Sequence, residues 1–567
     1  MSRKYILILI ILLAFILRFY QISNIPPSLT WDEAAWGYNA YSLGINGRDE
    51  FGKFLPITYI ESFGDFKPPL YAYLSILPIK LFGLNEFSVR FASAFLGTLT
   101  VLLTYFLTKQ IFSQKSQLLD IWHLKFGIPE VASLLLAISP WHILLSRAAF
   151  EANVATFFIV LGVLLFFIST QNTKGASSIS LIPLWIWRRI NTSGGLFLLS
   201  VLSFTASMYT FNTARVVVPL LVFGLITGKR KALLNIKKQV FIAAVIGFII
   251  FLPLGLFLKT PQAQLRFQEV NIFSDPSVIE RSNQQIKNDN NAFWSKIIHN
   301  RRLAYSVEFL RHYFDNLNPS FLFFKGDGNP KFSTQDIGQM YVWELPFFIF
   351  GFLYLFRNRQ GNWWIVPYWL LIAILPAATA RETPHALRIE AALPTFQIIT
   401  AYGLFQIISN FKFQISNFKL NYLLPSIVFV LALFNLAYFM HNYFVHYPRE
   451  FSGEWQYGYR EAINYAKSVE DQYSNIYLTD SLGRPYIYTL FYTQYDPNKF
   501  LQEAKIEREV FGFVKVKNFG KYTFEKTQEP SVNTLFIDRP GNVPGGANIL
   551  KEFYLLNGEK ILTAYTI

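Results

Sequence analysis

Tyr5-Ile6-Leu7-Ile8-Leu9-Ile10-Ile11-Leu12-Leu13-Ala14-Phe15-Ile16-Leu17-Arg18-Phe19-Tyr20 decides how the rest of the chain is read. The run is apolar but for Arg18, and Arg3 and Lys4 precede it. About twenty such residues as a helix cross a hydrocarbon core. A cleaved leader needs small residues after its apolar run, but Ile22-Ser23-Asn24-Ile25-Pro26-Pro27 follows, so the segment reads as an uncleaved first span. Similar runs recur near 5–22, 88–112, 128–146, 152–170, 195–213, 215–228, 240–258, 341–356, 363–380, 390–408 and 422–444. Of the 567 residues 52% are hydrophobic, 18% aromatic and 15% charged, too little charge for soluble domains of this total length. The expected fold is an α-helical polytopic membrane protein of about eleven spans.

Charge orients it. With the N-terminus in the cytoplasm, alternate loops carry Lys109, Lys115 and Lys125; Lys174, Arg188 and Arg189; Lys229, Arg230, Lys231, Lys237 and Lys238; Arg357 and Arg359; Lys412 and Lys419. Asp120 alone opposes them, and the acids gather in the other loops, which is the positive-inside pattern. The expected location is the cell membrane, multi-pass, with a cytoplasmic N-terminus and an extracytoplasmic C-terminal domain. The net charge of +15 is then spent on orientation and anionic headgroups, and nucleic acid is not implied. With no cysteine, disulfides and thiolate metal sites are excluded.

Residues 1–448 form the transmembrane module, with a first outer loop at 23–87 and a large one at 259–340, and 449–567 form a small α/β domain. Aromatics at helical spacing in 31–45 predict an amphipathic helix lying along the interface, and 68–83 is a second apolar piece too short for a span. In the tail, Tyr459 to Val469 reads as a helix, and Asn475–Leu478, Phe511–Val516, Thr534–Ile537 and Ile561–Tyr565 read as strands. Ser409-Asn410-Phe411-Lys412 recurs as Ser416-Asn417-Phe418-Lys419, a tolerated duplication.

The chemistry-bearing residues gather at outer span ends. Asp32 and Glu33 follow the first span; two adjacent carboxylates at a membrane surface hold a proton more readily, as a general base must. First-turn helix acids are the bland alternative. Lys67, before Pro68-Pro69, is a point charge for a phosphate or an interfacial lysine. Arg147 and Glu151, four apart, either pair with each other or hold substrate or a metal. His385 and Arg388, one turn apart, match a phosphate if their loop is helical, and Arg215 joins them at the same leaflet. Asp327, in the turn Lys325-Gly326-Asp327-Gly328-Asn329-Pro330, is a turn residue within reach of substrate. Gly47 to Lys53 has P-loop spacing, but Phe54 stands where a magnesium-binding hydroxyl belongs, so no nucleotide site is read there. No D-x-D occurs, which argues against a metal-bound nucleotide-sugar donor.

Trp31-Asp32-Glu33, Lys67-Pro68-Pro69-Leu70, Glu86-Phe87-Ser88-Val89-Arg90 and Ser146-Arg147 with Glu151 resemble the GT-C superfamily, in the branch of protein O-mannosyltransferases and the lipid A aminoarabinose transferase. The resemblance covers the first 170 residues and leaves the tail unmatched. It implies inverting transfer of a sugar from a polyprenyl-phosphate donor to a lipid, glycan or protein acceptor at the outer face. Asp32 would then be the base with Glu33 in support, and Lys67 a donor-phosphate ligand along with Arg215, His385 and Arg388. Glu151 stands where the family often has aspartate, which leaves a divalent cation open and no other cofactor implied. A lipid-linked glycan flippase is the alternative from another class; it would place charges at mid-membrane depth. An envelope glycan ligase or polymerase would share most of the chemistry.

Overall fold

The computed structural model describes residues 3–112, 119–121, 124–171, 193–410, 423–508, 514–526 and 533–567. Lys115, Lys174, Arg188, Arg189, Lys412 and Lys419, most of the duplicated tetrapeptides, and Phe511 to Phe513 of one expected strand lie outside them. The chain divides into two compact units. One comprises Met1–Leu17, Leu96–Leu145 and Glu151–Phe439; the other comprises Arg18–Phe95, Ser146–Phe150 and Met440–Ile567. The first outer loop is thus grouped with the tail, where the sequence alone drew a boundary at 448.

The first unit is helical. Each apolar run read from the sequence contains a helix, from Arg3–Phe19 to Leu423–His441. By length and composition, four helices of the described residues can cross a membrane: Glu86–Ile111, Glu151–Ser169, Lys237–Phe257 and Leu423–Glu450. A fifth arises if Ile128–Ile138 and Pro140–Arg147, bent by 54°, make one span. The bend falls at Pro140, which cannot donate the next helical hydrogen bond and restricts Ser139 before it. The expected count of eleven is therefore not reached on these criteria.

Burial separates the helices of this unit. The apolar window of Glu151–Ser169 is 72% buried and that of Lys237–Phe257 only 22%. Phe241, Phe248 and Ile249 on the latter are exposed, an apolar surface that only lipid or another chain would cover. Helices Glu344–Asn358 and Thr395–Asn410 touch through glycine. A methyl group at Gly351 would sit 2.0 Å from the carbonyl oxygen of Ile399, and one at Gly403 would sit 1.9 Å from that of Phe347. Small residues let two helix backbones approach this closely in a membrane.

The second unit joins the first outer loop to the tail. Helix Trp31–Asn46 begins with a capping box: Thr30 accepts from the Glu33 N–H, and the Glu33 side chain accepts from the Thr30 N–H. The sequence placed this helix along the interface with one face in lipid. It is instead enclosed, with Ala34, Trp36, Tyr38, Ala40 and Leu43 all buried, packed against helices Leu70–Phe82 and Pro485–Thr493. Alanine and glycine between its aromatics leave room for neighbours on every side; a methyl at Gly37 would strike the Phe491 ring at 2.5 Å. A hairpin, Ile60–Ser62 with Asp65–Lys67, delivers Lys67.

The tail carries a seven-stranded mixed sheet. Its strands lie in the order Asn548–Tyr554, Lys560–Thr566, Thr534–Asp538, Asn475–Leu478, Tyr522–Thr523, Val514–Phe519, Lys505–Arg508. Helix Tyr459–Ser468 precedes the central strand, and that strand is parallel to both of its neighbours.

The glycine contact in the first unit predicts that Gly403→Val cannot be absorbed by side-chain movement, because the obstructing atoms are backbone. Overpacking of this kind costs about 1–3 kcal/mol or more. The thermal midpoint of the detergent-solubilised variant should fall by several degrees; an unchanged midpoint would contradict the packing described.

Candidate active site

Asp32 and Glu33 are adjacent, yet their environments are opposite. Glu33 is fully buried and accepts four hydrogen bonds. One oxygen takes Arg90 Nε and the Ala149 N–H, both at 2.9 Å. The other takes the Thr30 N–H at 2.9 Å and an Arg90 terminal nitrogen at 3.3 Å. Arg90 is also fully buried. Its remaining donors go to the carbonyl oxygens of Ile22 (2.8 Å), Pro26 (2.9 Å) and Ser28. A guanidinium has five N–H donors, and all five are used. The ring of Trp455 lies 5.9 Å from the Arg90 guanidinium carbon.

Asp32, by contrast, has its side chain 48% exposed and forms an ion pair with the mostly buried Lys67. The rings of Trp36 and Phe63, each with its centroid 5.5 Å from Lys67 Nζ, favour the charged amine. The two carboxylates therefore sit in separate environments, each facing a cation of its own. Asp32 alone of the pair has an oxygen that solvent or substrate can reach. Behind it, the Glu50 N–H donates to Asn39 at 2.9 Å. Burial holds the Glu50 carboxyl well above the usual carboxylate range, with Asp49 adding to the effect and Lys67 opposing it.

Arg147 completes this unit's set. It is buried, donates to the carbonyls of Tyr20 (2.7 Å) and Ile25 (2.9 Å), and lies over the rings of Phe444 and Tyr443. It braces the same connection that Arg90 holds.

The other expected residues belong to the first unit. Arg215 Nε donates to the Met208 carbonyl at 3.2 Å. Glu151 opens its helix, and its charge bears on the buried Glu390. Asp327 is a turn residue: its oxygens accept the N–H groups of Ala386 (2.7 Å) and Asn329 (2.8 Å). Burial pushes its carboxyl up to about 6. The stretch from Arg381 to Ile389 is irregular, where the phosphate reading needed a helix. Its backbone is held by Asn316, which accepts the His385 N–H at 3.0 Å, and by Asp327. Arg388 turns back to donate to the Glu382 carbonyl at 2.8 Å. Burial, with Arg388 beside it, pushes the His385 imidazole down to about 3. His385 is thus neutral at physiological pH and does not supply the positive charge expected of it. Among the described residues no three His, Asp or Glu side chains gather as a metal site.

Residues 8–271 match the family described as dolichyl-phosphate-mannose-protein mannosyltransferase. Over 99% of this chain and 98% of the other, the fold is similar to that of ArnT from Cupriavidus metallidurans bound to undecaprenyl phosphate, at 11% identity and a TM-score of 0.50. The matched family covers 264 of the 567 residues, all within the first half of the chain. An uncharacterized protein of Aquifex aeolicus (strain VF5) is 31% identical over 169 residues, 30% of each chain; the chain thus spans under a third of that curated relative. The archaeal oligosaccharyltransferase AglB from Archaeoglobus fulgidus, in complex with an inhibitory peptide and a dolichol-phosphate, is similar over 82% of this chain and 58% of its own, at 13% identity and a TM-score of 0.47. Four helices long and apolar enough to cross a membrane, together with the family match, support a membrane protein. Asp32, Glu33, Lys67, Arg90, Arg147, Glu151 and Arg215 fall inside the matched stretch; Asp327, His385, Arg388 and the tail fall outside it.

Sequence reasoning gave Arg90 no role. The signal was present: a charged residue one turn inside an apolar span is costly unless paired, and Glu33 is its partner. Removing one member of a buried pair strands the other, at about 3–5 kcal/mol. Glu33→Ala should therefore lower the thermal midpoint strongly, while Asp32→Asn, at a half-exposed ion pair, costs about 1 kcal/mol or less. Equal losses in the two variants would refute this division of roles.

Proposed function

We propose that this protein is a GT-C glycosyltransferase that moves a sugar from a polyprenyl-phosphate donor to a lipid, glycan or protein hydroxyl at the outer face of the membrane. The observation that carries the reading is the Asp32–Lys67 ion pair: a reachable carboxylate beside a mostly buried ammonium, on a backbone braced by Arg90, Glu33 and Arg147. ArnT, bound to undecaprenyl phosphate in its crystal structure, and the mannosyltransferase family, whose description names a dolichyl-phosphate sugar, support the donor class.

The chemistry uses both members of the pair. Asp32 accepts the proton of the acceptor hydroxyl as that oxygen bonds to the anomeric carbon. The bond from that carbon to the phosphate oxygen breaks, and its electrons leave on the polyprenyl phosphate. Lys67 faces the phosphate as negative charge builds there; as Asp32 becomes neutral, its hold on Lys67 weakens and the ammonium is released to the leaving group. Cations preorganised at developing charge are commonly a large part of such rate enhancement. Glu33 and Arg90 touch no reacting atom and act as positioning residues. No step is routed through a metal ion. Arg388 and His385 are left out as phosphate ligands, the first because it is engaged with Glu382, the second because it is uncharged.

The proposal extends to topology. Eleven spans with a cytoplasmic N-terminus put Trp31–Asn46, the hairpin carrying Lys67 and the tail on the outer side, where a translocated lipid-linked sugar is met. The positive-inside distribution supports this orientation.

The test is transfer of radiolabelled sugar from a panel of polyprenyl-phosphate sugars by membranes containing the protein. Wild type should label an acceptor, and Asp32→Asn should reduce the rate by about 10²–10⁴-fold, as for loss of a general base. Lys67→Met should lower kcat more than it raises the KM for donor. Full activity in Asp32→Asn would remove Asp32 as the base, and lipid-linked glycan crossing the bilayer without any transfer would favour a transporter.

A further inference from the structure

One surface of the first unit has no role in the chemistry above. The large outer loop contains the helices Pro276–Asn288, Phe293–Ile298 and Arg301–Asp315, and they differ in what they expose. Pro276–Asn288 presents polar side chains such as Glu280, Arg281 and Gln284, and its Val278 is buried. On Arg301–Asp315 the opposite holds: Leu303, Val307, Leu310 and Phe314 are each between 45% and 62% exposed. At about 100° per residue, these positions fall within an arc of about 60°. The short helix before it adds Phe293, Trp294, Ile297 and Ile298, all exposed. Single exposed apolar side chains are ordinary on a protein surface; a stripe along a whole helix is not.

The other face of Arg301–Asp315 is fixed to the protein. His312 donates from Nδ1 to the Ala380 carbonyl at 2.8 Å, and the Tyr305 hydroxyl donates to the Phe273 carbonyl at 3.2 Å. The Thr383 hydroxyl donates to Asp315 at 3.0 Å, beside the bond from the His385 N–H to Asn316. Tyr313 sets the depth. Its hydroxyl donates to the Leu371 carbonyl at 2.8 Å. Leu371 lies about halfway along the apolar helix Ile365–Ala378, and its own side chain is exposed. The striped helix therefore runs beside the C-terminal half of that expected span and not beyond its end. Around a span at that depth the medium is lipid.

Charge favours lipid over a protein partner. From 281 to 311 the loop carries Arg281, Lys287, Lys296, Arg301, Arg302 and Arg311, against Asp289 and Glu308. By the same helical turn, Arg302 and Arg311 lie on opposite flanks of the stripe. Arg311 is engaged by Glu308, whereas Lys296 and Arg302 are exposed and form no ion pair among the described residues. This basic excess stands on the side of the expected topology where the acids gather, so the positive-inside rule does not account for it. An apolar stripe with cations along its edges is the pattern of a helix lying at the headgroup boundary of an anionic bilayer.

We propose that Phe293–Ile298 and Arg301–Asp315 form a lipid-docking surface, with the stripe sunk into the outer leaflet and Lys296, Arg302 and Arg311 on the phosphates of anionic lipids. This goes beyond the glycosyltransferase reading and does not depend on it. Because Asp315 and Asn316 hold Thr383 and His385, docking also fixes the loop 381–389 relative to the membrane surface.

The chain has no cysteine, so one introduced thiol can be labelled alone. Full-length Leu310→Cys would carry an NBD fluorophore in nanodiscs of phosphatidylcholine and phosphatidylglycerol. A nitroxide on the lipid acyl chain should quench this label and aqueous iodide should not; a label at Gln284→Cys should behave the other way. In detergent, the emission change of the Leu310 label should half-saturate at a phosphatidylglycerol concentration about fivefold or more below that for phosphatidylcholine, the scale of one basic side chain near an anionic surface. Lys296→Gln with Arg302→Gln should erase that preference while leaving lipid quenching in nanodiscs and the thermal midpoint near wild type. Lys296→Arg with Arg302→Lys should keep it. Iodide quenching of the Leu310 label, an equal response to both lipids, or a preference that survives the double glutamine variant would overturn the proposal. A label shielded from both quenchers would put protein in the place of lipid and overturn it too.

Discussion

The ion pair between Arg90 and Glu33 is the constraint on which the second unit depends. Two charges removed from water cost several kcal/mol each unless every hydrogen-bonding site is matched. Here the match is complete: five guanidinium donors find five acceptor contacts, and the carboxylate receives four donors. The partners come from four places in the sequence. They are the connection from Ile22 to Ser28, the cap of the Trp31 helix, the helix that starts at Glu86, and Ala149. One cluster therefore fixes where the helix carrying Asp32 begins and in which direction it runs. Arg147 adds a second brace on the carbonyls of Tyr20 and Ile25.

From that arrangement the different fates of two neighbouring acids follow. A helix turns about 100° per residue, so consecutive side chains cannot share one environment. With Glu33 committed inward to Arg90, Asp32 is turned outward to Lys67. Lys67 in turn is held by the short hairpin Ile60–Ser62 and Asp65–Lys67 and by the rings of Trp36 and Phe63. A carboxylate so placed is oriented without being saturated with partners, which is what the proposed role of general base requires. The same unit includes the tail, whose Pro485–Thr493 helix packs on the Asp32 helix. The tail therefore belongs to the structure around Asp32, the proposed base, and is no mere appendage.

Much of this was legible in the sequence, and the parts that were not share a cause. Apolar run length located every helix from Arg3–Phe19 to Leu423–His441, because the pattern is long and local. The tail strands at 475–478, 534–538 and 560–566 were visible for the same reason: each is a compact apolar or β-branched run. Lys505–Arg508 and Tyr522–Thr523 were not, the first polar and exposed, the second only two residues long. The Trp31 helix looked amphipathic because its aromatics recur at helical spacing; that its alanine and glycine faces are covered too depends on Phe491, some 450 positions away. His385 shows the limit most plainly. A histidine one turn from an arginine suggests a pair of cations, but burial, which spacing does not reveal, leaves it neutral. Arg90 and Glu33, 57 residues apart, can be paired only once the chain has folded.

The central claim is a single displacement at the anomeric carbon, with Asp32 as base and polyprenyl phosphate as leaving group. Its most direct test is the anomeric configuration of the product, read from the one-bond carbon–hydrogen coupling of a ¹³C-labelled sugar after transfer from a donor of defined configuration. The account predicts inversion, because one carboxylate serves as base and none is assigned as nucleophile. Retention of configuration would require a covalent sugar intermediate on the protein and would contradict it.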